Sequence, residues 1–311
     1  MDASLLHVVA VYQDPLRWHT RLALYEQFEQ EMLKAGVRLT TVECQLGARP
    51  WQLSTPGVNY VRVRHHTILW HKENLLNLGV ASLHTIDPDW RYVAWIDADV
   101  SFRRATWPSD TVHLLQEVAM CQPWDFCYDM GPGDSHMNVH PAFCRQWVLG
   151  QPVLPSGLQK YAYAHPGYAW ATRREILEEV GGLIDWSILG AADLHMALGL
   201  VDMIDKGMPT TFQDPAYRTR LYLWQGRALR SVNYSIGFMR GGTIEHHWHG
   251  RKTDRKYWER WQILQRYAYN PETDIKKNTS GVYEMAGNKP MFTQAVAGYF
   301  HARNEDANTR E

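Results

Sequence analysis

Asp97 and Asp99 are the side chains with the clearest capacity for chemistry, and they lie in the segment Tyr92 to Phe102, YVAWIDADVSF. Val93, Ala94, Trp95 and Ile96 make the continuous apolar run expected of a strand covered on both faces. Two carboxylates at the C-terminal end of such a strand stand where open α/β sheets bind ligands. Separated by one residue where strand becomes loop, both can turn toward one divalent ion, and their hard oxygens suit Mg²⁺ or Mn²⁺. A diphosphate would complete the coordination. The structural alternative is that the two acids cap the following turn or pair with Arg103 and Arg104.

Three other groups bear on the same chemistry. His65-His66 and Lys72-Glu73-Asn74 stand before and at the start of a helix that precedes the acid-bearing strand, so His66, Lys72 and Asn74 could meet a nucleotide there. A solvated helix start is the competing reading. In Gly190-Ala191-Ala192-Asp193-Leu194-His195 a flexible turn presents Asp193 in the first turn of a helix. That acid either complements the helix dipole or takes a proton from an acceptor hydroxyl. In Glu245-His246-His247-Trp248-His249-Gly250, three histidines fall within four residues, too many for core packing. If Thr243 to His249 is extended, His247 and His249 share one face and His246 and Trp248 the other, so one face supplies imidazole to the metal. Arg251, Lys252 and Arg255 follow, and such a basic run either neutralises charge on a departing phosphate or forms a solvated helix face.

Positioning these groups takes alternating strands and helices. Strands are expected at Leu5 to Tyr12, Val37 to Cys44, Val58 to Val63 and Tyr92 to Ile96, with helices at Thr20 to Ala35 and Trp70 to Leu83. Crossovers of that length imply a mostly parallel, doubly wound sheet. The second half is less regular: helices are expected at Trp107 to Met120, Ala169 to Val180 and Ala192 to Ile204, a strand at Asp125 to Met130, and a loop at Gly131 to Asn138. The polar tail from His301 to Glu311 is expected to fray. Tyr12-Gln13-Asp14-Pro15 after the first strand is neither a dinucleotide fingerprint nor a phosphate loop, which disfavours an NAD-dependent oxidoreductase, a P-loop NTPase and a nucleotidyltransferase.

At 311 residues, with 45% hydrophobic and 21% charged, the chain is an ordinary globular protein, and its formal net charge of -1 gives no general attraction to nucleic acid or anionic lipid. No apolar stretch reaches the length of a membrane span. Cys44, Cys121, Cys127 and Cys144 lack C-x-x-C spacing, and with no leader at Met1-Asp2-Ala3 they are expected to stay reduced in a cytoplasm.

The strand-end Asp97-Ala98-Asp99, the segment Pro166-Gly167-Tyr168-Ala169-Trp170-Ala171 before Arg173-Arg174-Glu175, the Gly-x-x-Asp-Leu helix start and the late histidines resemble, in this order, the metal-dependent nucleotide-sugar glycosyltransferases of the GT-A fold. The resemblance covers roughly Leu5 to Lys256. It implies a single α/β domain with a Rossmann-like, mostly parallel central sheet flanked by helices and an irregular acceptor-side second half. Within it, residues 1–104 form the nucleotide-sugar half, 105–260 the acceptor and metal-histidine half, and 261–311 a C-terminal extension. It further implies Mn²⁺ or Mg²⁺ held by Asp99 and by His249 or His247, with Asp97 touching metal or ribose. A nucleoside diphosphate sugar, UDP-sugar first, would be the donor, and Asp193 the base of an inverting transfer. This chain has Gly-Ala-Ala-Asp where many inverting members have Gly-Glu-Asp. Trp170, Trp186 and Trp248 are then candidates to pack on sugar or acceptor rings. The HHWHGRKTDRKY segment also resembles glycosyltransferases encoded by bacteriophages. On that reading the acceptor is a hydroxymethylated base in phage DNA, met in the host cytoplasm by Tyr257, Trp258 and Trp261. A protein or cell-envelope glycan is the other acceptor class, and a nucleotidyltransferase or a non-catalytic sugar-binding module are the readings from other classes.

Overall fold

Leu6, Val8 and Ala10 alternate along the first strand with His7 and Val9, and every one of them is buried, so this strand lies at the centre of a sheet covered on both sides. The structure is a computed structural model that describes residues 2–154, 164–212 and 214–307. Its first half runs β1 (Leu6–Gln13), α1 (His19–Lys34), β2 (Arg38–Leu46), β3 (Asn59–His65), α2 (Lys72–Ile86), β4 (Tyr92–Ile96) and β5 (Val100–Phe102). Then come α3 (Trp107–Leu114), β6 (Met120–Gln122), β7 (Phe126–Met130), β8 (His136–Pro141), α4 (Phe143–Val148), β9 (Ala169–Arg173), α5 (Arg174–Val180) and α6 (Ala192–Gly199). The chain continues through α7 (Pro215–Val232), β10 (Ile236–Phe238), β11 (Thr243–His246), α8 (Glu259–Arg266), the hairpin β12 (Ile275–Lys277) and β13 (Tyr283–Met285), and α9 (Pro290–His301).

Among the described residues seven strands form the central sheet, in the order β10-β6-β9-β4-β1-β2-β3. Only β9 is antiparallel to its neighbours; the other pairs are parallel. This is the mostly parallel, helix-flanked α/β architecture expected from the sequence. The chain leaves β1 toward β2 and β3 on one side and returns to β4 on the other, so the switch point lies between the carboxyl ends of β1 and β4. Asp97 follows β4 directly, where strand-order reversal opens a crevice. A second sheet, β5-β11-β7-β8, stands beside that crevice and carries His246 at the end of β11, with His247 and His249 in the turn that follows.

Five local expectations are revised. Ala169 to Arg173 is a strand, because Ala169, Trp170, Ala171 and Thr172 are all buried between β4 and β6, and a short apolar run cannot be told from a buried helix by period alone. The helix expected over Trp107 to Met120 stops at Leu114, leaving Met120 to enter β6. That over Ala192 to Ile204 stops at Gly199, and the expected loop ends where β8 begins at His136. The tail is anchored through Ala307: Asp306 accepts from the backbone of His19 at 3.1 Å and Thr20 at 3.0 Å, and Ala307 O accepts from Trp248 Nε1 at 2.6 Å. Trp18 offers α1 no side-chain cap, so the tail carboxylate supplies it. Residues 308–311 of that expected frayed tail lie outside the described residues.

Candidate metal centre and active site

Strand pairing brings Asp99 to the histidines. β5 runs antiparallel to β11 with His246 opposite Val100, and the backbone N–H of His247 extends the ladder by donating to Asp99 O at 2.9 Å. Asp99 Oδ2 then lies 3.1 Å from His249 Nε2 and 3.9 Å from His246 Nε2, and the two Nε2 atoms face each other at 3.1 Å. The protonation pattern of these rings decides what fits between them. His246 Nδ1 faces an Asp129 oxygen at 3.0 Å, so in the neutral ring Nδ1 carries the proton and Nε2 the lone pair. Arg255, which can only donate, reaches His249 Nε2 at 2.9 Å, so that nitrogen also carries a lone pair, one that Arg255 would have to release to a bound cation. Two lone pairs and a carboxylate converge, and Asp99 Oδ1 is buried with no hydrogen-bond partner among the described residues. A divalent cation fits this donor set, the carboxylate suiting Mn²⁺ and the two imidazoles favouring a transition ion over the harder Mg²⁺. In the metal-free site burial opposes the charge on Asp99, but His249 and His246 in their protonated forms, together with Arg255, outweigh it and hold its carboxyl well below the usual range.

His247 stands apart from this group. Its Nε2 meets Ser101 Oγ at 2.7 Å and Gln27 Nε2 at 3.3 Å, on the side of α1. The alternation expected over Thr243 to His249 ends with β11 at His246, and the turn that follows restores His249 to the same side three residues later. His246→Ala should therefore weaken Mn²⁺ binding by more than the roughly 10–100-fold typical of losing an outer-shell partner, whereas His247→Ala should leave it nearly unchanged. Equal losses in a calorimetric titration would contradict this assignment. Arg103 and Arg104 pair with Glu245 and Asp110, so neither is the partner of the strand-end acids.

Asp97 lies outside the triad and faces the other way. Its N–H donates to Tyr168 O at 2.8 Å, and its Oδ1 sits 2.5 Å from Lys72 Nζ. Burial raises the Asp97 pKa, with Lys72 opposing and Asp99 adding to the rise. Asp193 is brought to the same place by backbone geometry. Gly190 and Ala191 both have positive φ, +91° and +83°, an unusual conformation for alanine, and the turn they form starts α6 with Asp193 in its first turn. A Cβ on Gly167 would lie 2.9 Å from Asp193 Oδ2, so the Pro166-Gly167-Tyr168 segment needs glycine for the carboxylate to approach. Burial works against the charge on Lys72, but Asp97, Glu73 and Asp193 together raise its pKa. Lys72 therefore joins the strand-end acids to the acid of α6.

Glu73 is buried and accepts from Trp70 Nε1 at 3.0 Å. Burial pushes its carboxyl up to about 7 from 4.5, with Lys72 opposing and Asp193 reinforcing. Because the folded value is the higher, its contribution to stability is complete below the unfolded pKa and is lost as pH rises through about 7. Between about pH 5 and about pH 8 the wild type should thus lose on the order of 3 kcal/mol relative to Glu73→Gln, measured by denaturant unfolding. Parallel pH profiles would contradict it.

The remaining sequence candidates separate into site and scaffold. Arg255 touches His249, and its guanidinium donates to the Tyr257 hydroxyl at 3.2 Å. Arg251 pairs with Asp254, and Lys252 with Asp129. His66 is exposed and meets Glu284 at 3.0 Å. Asn74 is buried, donating to Gly281 O at 3.1 Å and accepting from Tyr283 N at 3.0 Å, so it ties α2 to the β12–β13 hairpin. Trp170 packs in the core with its Nε1 donating to Pro166 O at 2.7 Å, Trp186 is buried under Arg220, and Trp248 holds the tail. Of the aromatic residues proposed to meet a base, Trp261 is buried, while Trp258 is 76% exposed.

Several site residues carried no local signal. Arg21 forks onto Glu305 at 2.5 and 2.8 Å, and Glu305 Oε2 lies 3.8 Å from His249 Nδ1, so helix α1 and the tail both abut the histidines. Arg260 lies against Gly190 and over the Tyr257 ring, 5.1 Å from its centroid, which continues the guanidinium strip from His249 to the turn before Asp193. A cleft of about 520 Å³ opens at the carboxyl ends of β1 and β2, lined by Pro15, Leu16, Trp18, Leu46, Ile68 and Arg303 among others. Among the described residues no helix is long and apolar enough to cross a membrane, and all four cysteines are free and buried.

No protein-family model matches the sequence, and no curated protein matches it. Solved structures do match. A mutant of Drosophila β1,4-galactosyltransferase 7, crystallised with manganese, UDP-Gal and xylobiose, aligns over 92% of this chain and 97% of its own, at 10% identity and a TM-score of 0.41. A protein from Desulfovibrio desulfuricans described as a nucleotide-diphospho-sugar transferase aligns over 85% of this chain and 96% of its own, at 10% identity and a TM-score of 0.31.

Proposed function

We propose that this protein is a metal-dependent glycosyltransferase of the GT-A type that moves a sugar from a nucleoside diphosphate sugar, UDP-sugar first, to an acceptor hydroxyl with inversion. The observation that carries this reading is the convergence of two unlike acid sites at one switch point: a carboxylate–imidazole triad at Asp99, and Asp193 beside Asp97 through Lys72. Asp99, His246 and His249 would hold the cation. When bound, it supplies charge for the diphosphate and acts as a Lewis acid for the leaving group.

The protein's own groups do the rest. Asp193 takes the acceptor proton as the acceptor oxygen bonds to the anomeric carbon and the bond from that carbon to the diphosphate oxygen breaks. Arg255 and Arg260 face the charge left on the diphosphate, a role that the pairing of Arg251 and Lys252 with acids argues against for those two. Lys72 holds Asp97 and steers it toward the nucleotide rather than the ion. The cleft beside Trp18 offers apolar and aromatic surface for the base. We place the reaction in a cytoplasm, that of the host if the chain is phage-encoded, where its buried thiols stay reduced.

The acceptor reading with a specific observation behind it is a hydroxymethylated base in DNA. Trp258, exposed to 76%, follows Tyr257 between Arg255 and Arg260, a pairing of stacking surface with guanidinium that suits an extruded base. Donor turnover with hydroxymethylcytosine DNA, with unmodified DNA and with glycan or protein acceptors decides it. Stimulation confined to the hydroxymethylated duplex and falling steeply with salt supports DNA. Stimulation by glycan or protein alone replaces it with that acceptor class.

A further inference from the structure

His246 is held from behind. Asp129 lies on β7, paired in parallel with β11 so that His246 sits opposite it, and it is buried at 2% exposure. Its Oδ1 accepts from His246 Nδ1 at 3.0 Å and from the Tyr168 hydroxyl at 2.9 Å. Its Oδ2 accepts from His140 Nε2 at 2.6 Å and from Lys252 Nζ. The partners come from β8, β11, the segment before β9 and the turn after Gly250, so one carboxylate ties the second sheet to the central sheet at the metal centre. A hydrogen-bonded carboxylate behind a ligating imidazole fixes which nitrogen is protonated, orients the ring and raises the basicity of the other nitrogen.

We propose that Asp129 is the positioning residue of the metal centre: without touching the cation, it sets the tautomer and ring plane of His246 and so governs cation affinity. The proposal rests on the metal-dependent reading above, and it assigns a role to an acid that lies outside the strand-end motif and the histidine run. Asp129 has the geometry for it, since the ring it holds presents Nε2 directly toward Asp99 and His249.

The test uses the full chain freed of metal. Asp129→Asn keeps the shape and removes the charge; Asp129→Ala removes the acceptor; Tyr168→Phe removes a neighbouring donor and leaves the acceptor in place. Mn²⁺ affinity, followed by electron paramagnetic resonance, should fall by about 10–100-fold in both Asp129 variants and by less than about threefold in Tyr168→Phe. In ¹⁵N spectra of the metal-free chain, His246 should be the Nδ1–H tautomer in the wild type and lose that preference in Asp129→Ala. Mn²⁺ affinity within threefold of wild type in both Asp129 variants, or an unchanged His246 tautomer in Asp129→Ala, overturns the proposal. If Asp129→Ala does not fold, Asp129→Asn decides by affinity. Should the wild type bind no Mn²⁺, the metal-dependent reading fails, and the tautomer measurement still decides what Asp129 does to His246.

Discussion

Asp99→Ala is expected to abolish Mn²⁺ binding at this centre and to reduce sugar transfer by about 10³-fold or more, the equivalent of several kcal/mol of stabilisation for the departing diphosphate. The reason is electrostatic. Asp99 is the only anion of the triad, and without it a cation would face two neutral imidazoles with Arg255 close by. Its second oxygen is buried and has no hydrogen-bond partner among the described residues, so these hold a charged group there without a full set of donors. Asp97→Asn should cost less metal affinity, because Asp97 already has Lys72 as its cation. Calorimetric Mn²⁺ titration beside a transfer assay checks both, and unchanged turnover in Asp99→Ala would rule out the metal assignment.

The second large effect belongs to Asp193. Asp193→Asn should lower kcat by about 10²–10⁴-fold, the range spanned by general bases, while leaving Mn²⁺ affinity and the donor KM within a few-fold. The amide is nearly isosteric and keeps the oxygen that accepts from Leu194 N, so the α6 turn should survive while the basic lone pairs are lost. A loss confined to donor KM would place Asp193 at the nucleotide rather than at the acceptor. The product's anomeric configuration is a further check, since a retained configuration is incompatible with Asp193 as base in a single displacement.

The features legible in the sequence are those that depend on local order. The acid-bearing strand was readable to its ends because Tyr92 to Ile96 is apolar on both faces and Asp97 breaks the run. Asp193 was readable because glycine precedes a helix start, although the positive φ of Ala191 was not. The histidine cluster is legible as a group, but which of its members share a face is not. Alternation is a property of strands, and β11 ends at His246, so it does not hold over the residues that turn. Arg21, Glu305 and Asp129 needed tertiary structure. Arg21 looks like any helix-start cation and Glu305 like a tail residue, and their pairing spans nearly the whole chain. Asp129 leaves one trace, an acid between Tyr128 and Met130 in an otherwise apolar strand, and its burial depends on His246, His140 and Tyr168, which tertiary structure brings to it.

The most direct measurement is the release of nucleoside diphosphate from a panel of nucleotide sugars by the wild-type protein with Mn²⁺ and again after chelation. Release from one or a few of these donors is expected, requiring the metal and returning when Mn²⁺ is restored. No release from any donor by a protein that binds Mn²⁺, or metal-dependent release of pyrophosphate from a nucleoside triphosphate, would contradict it.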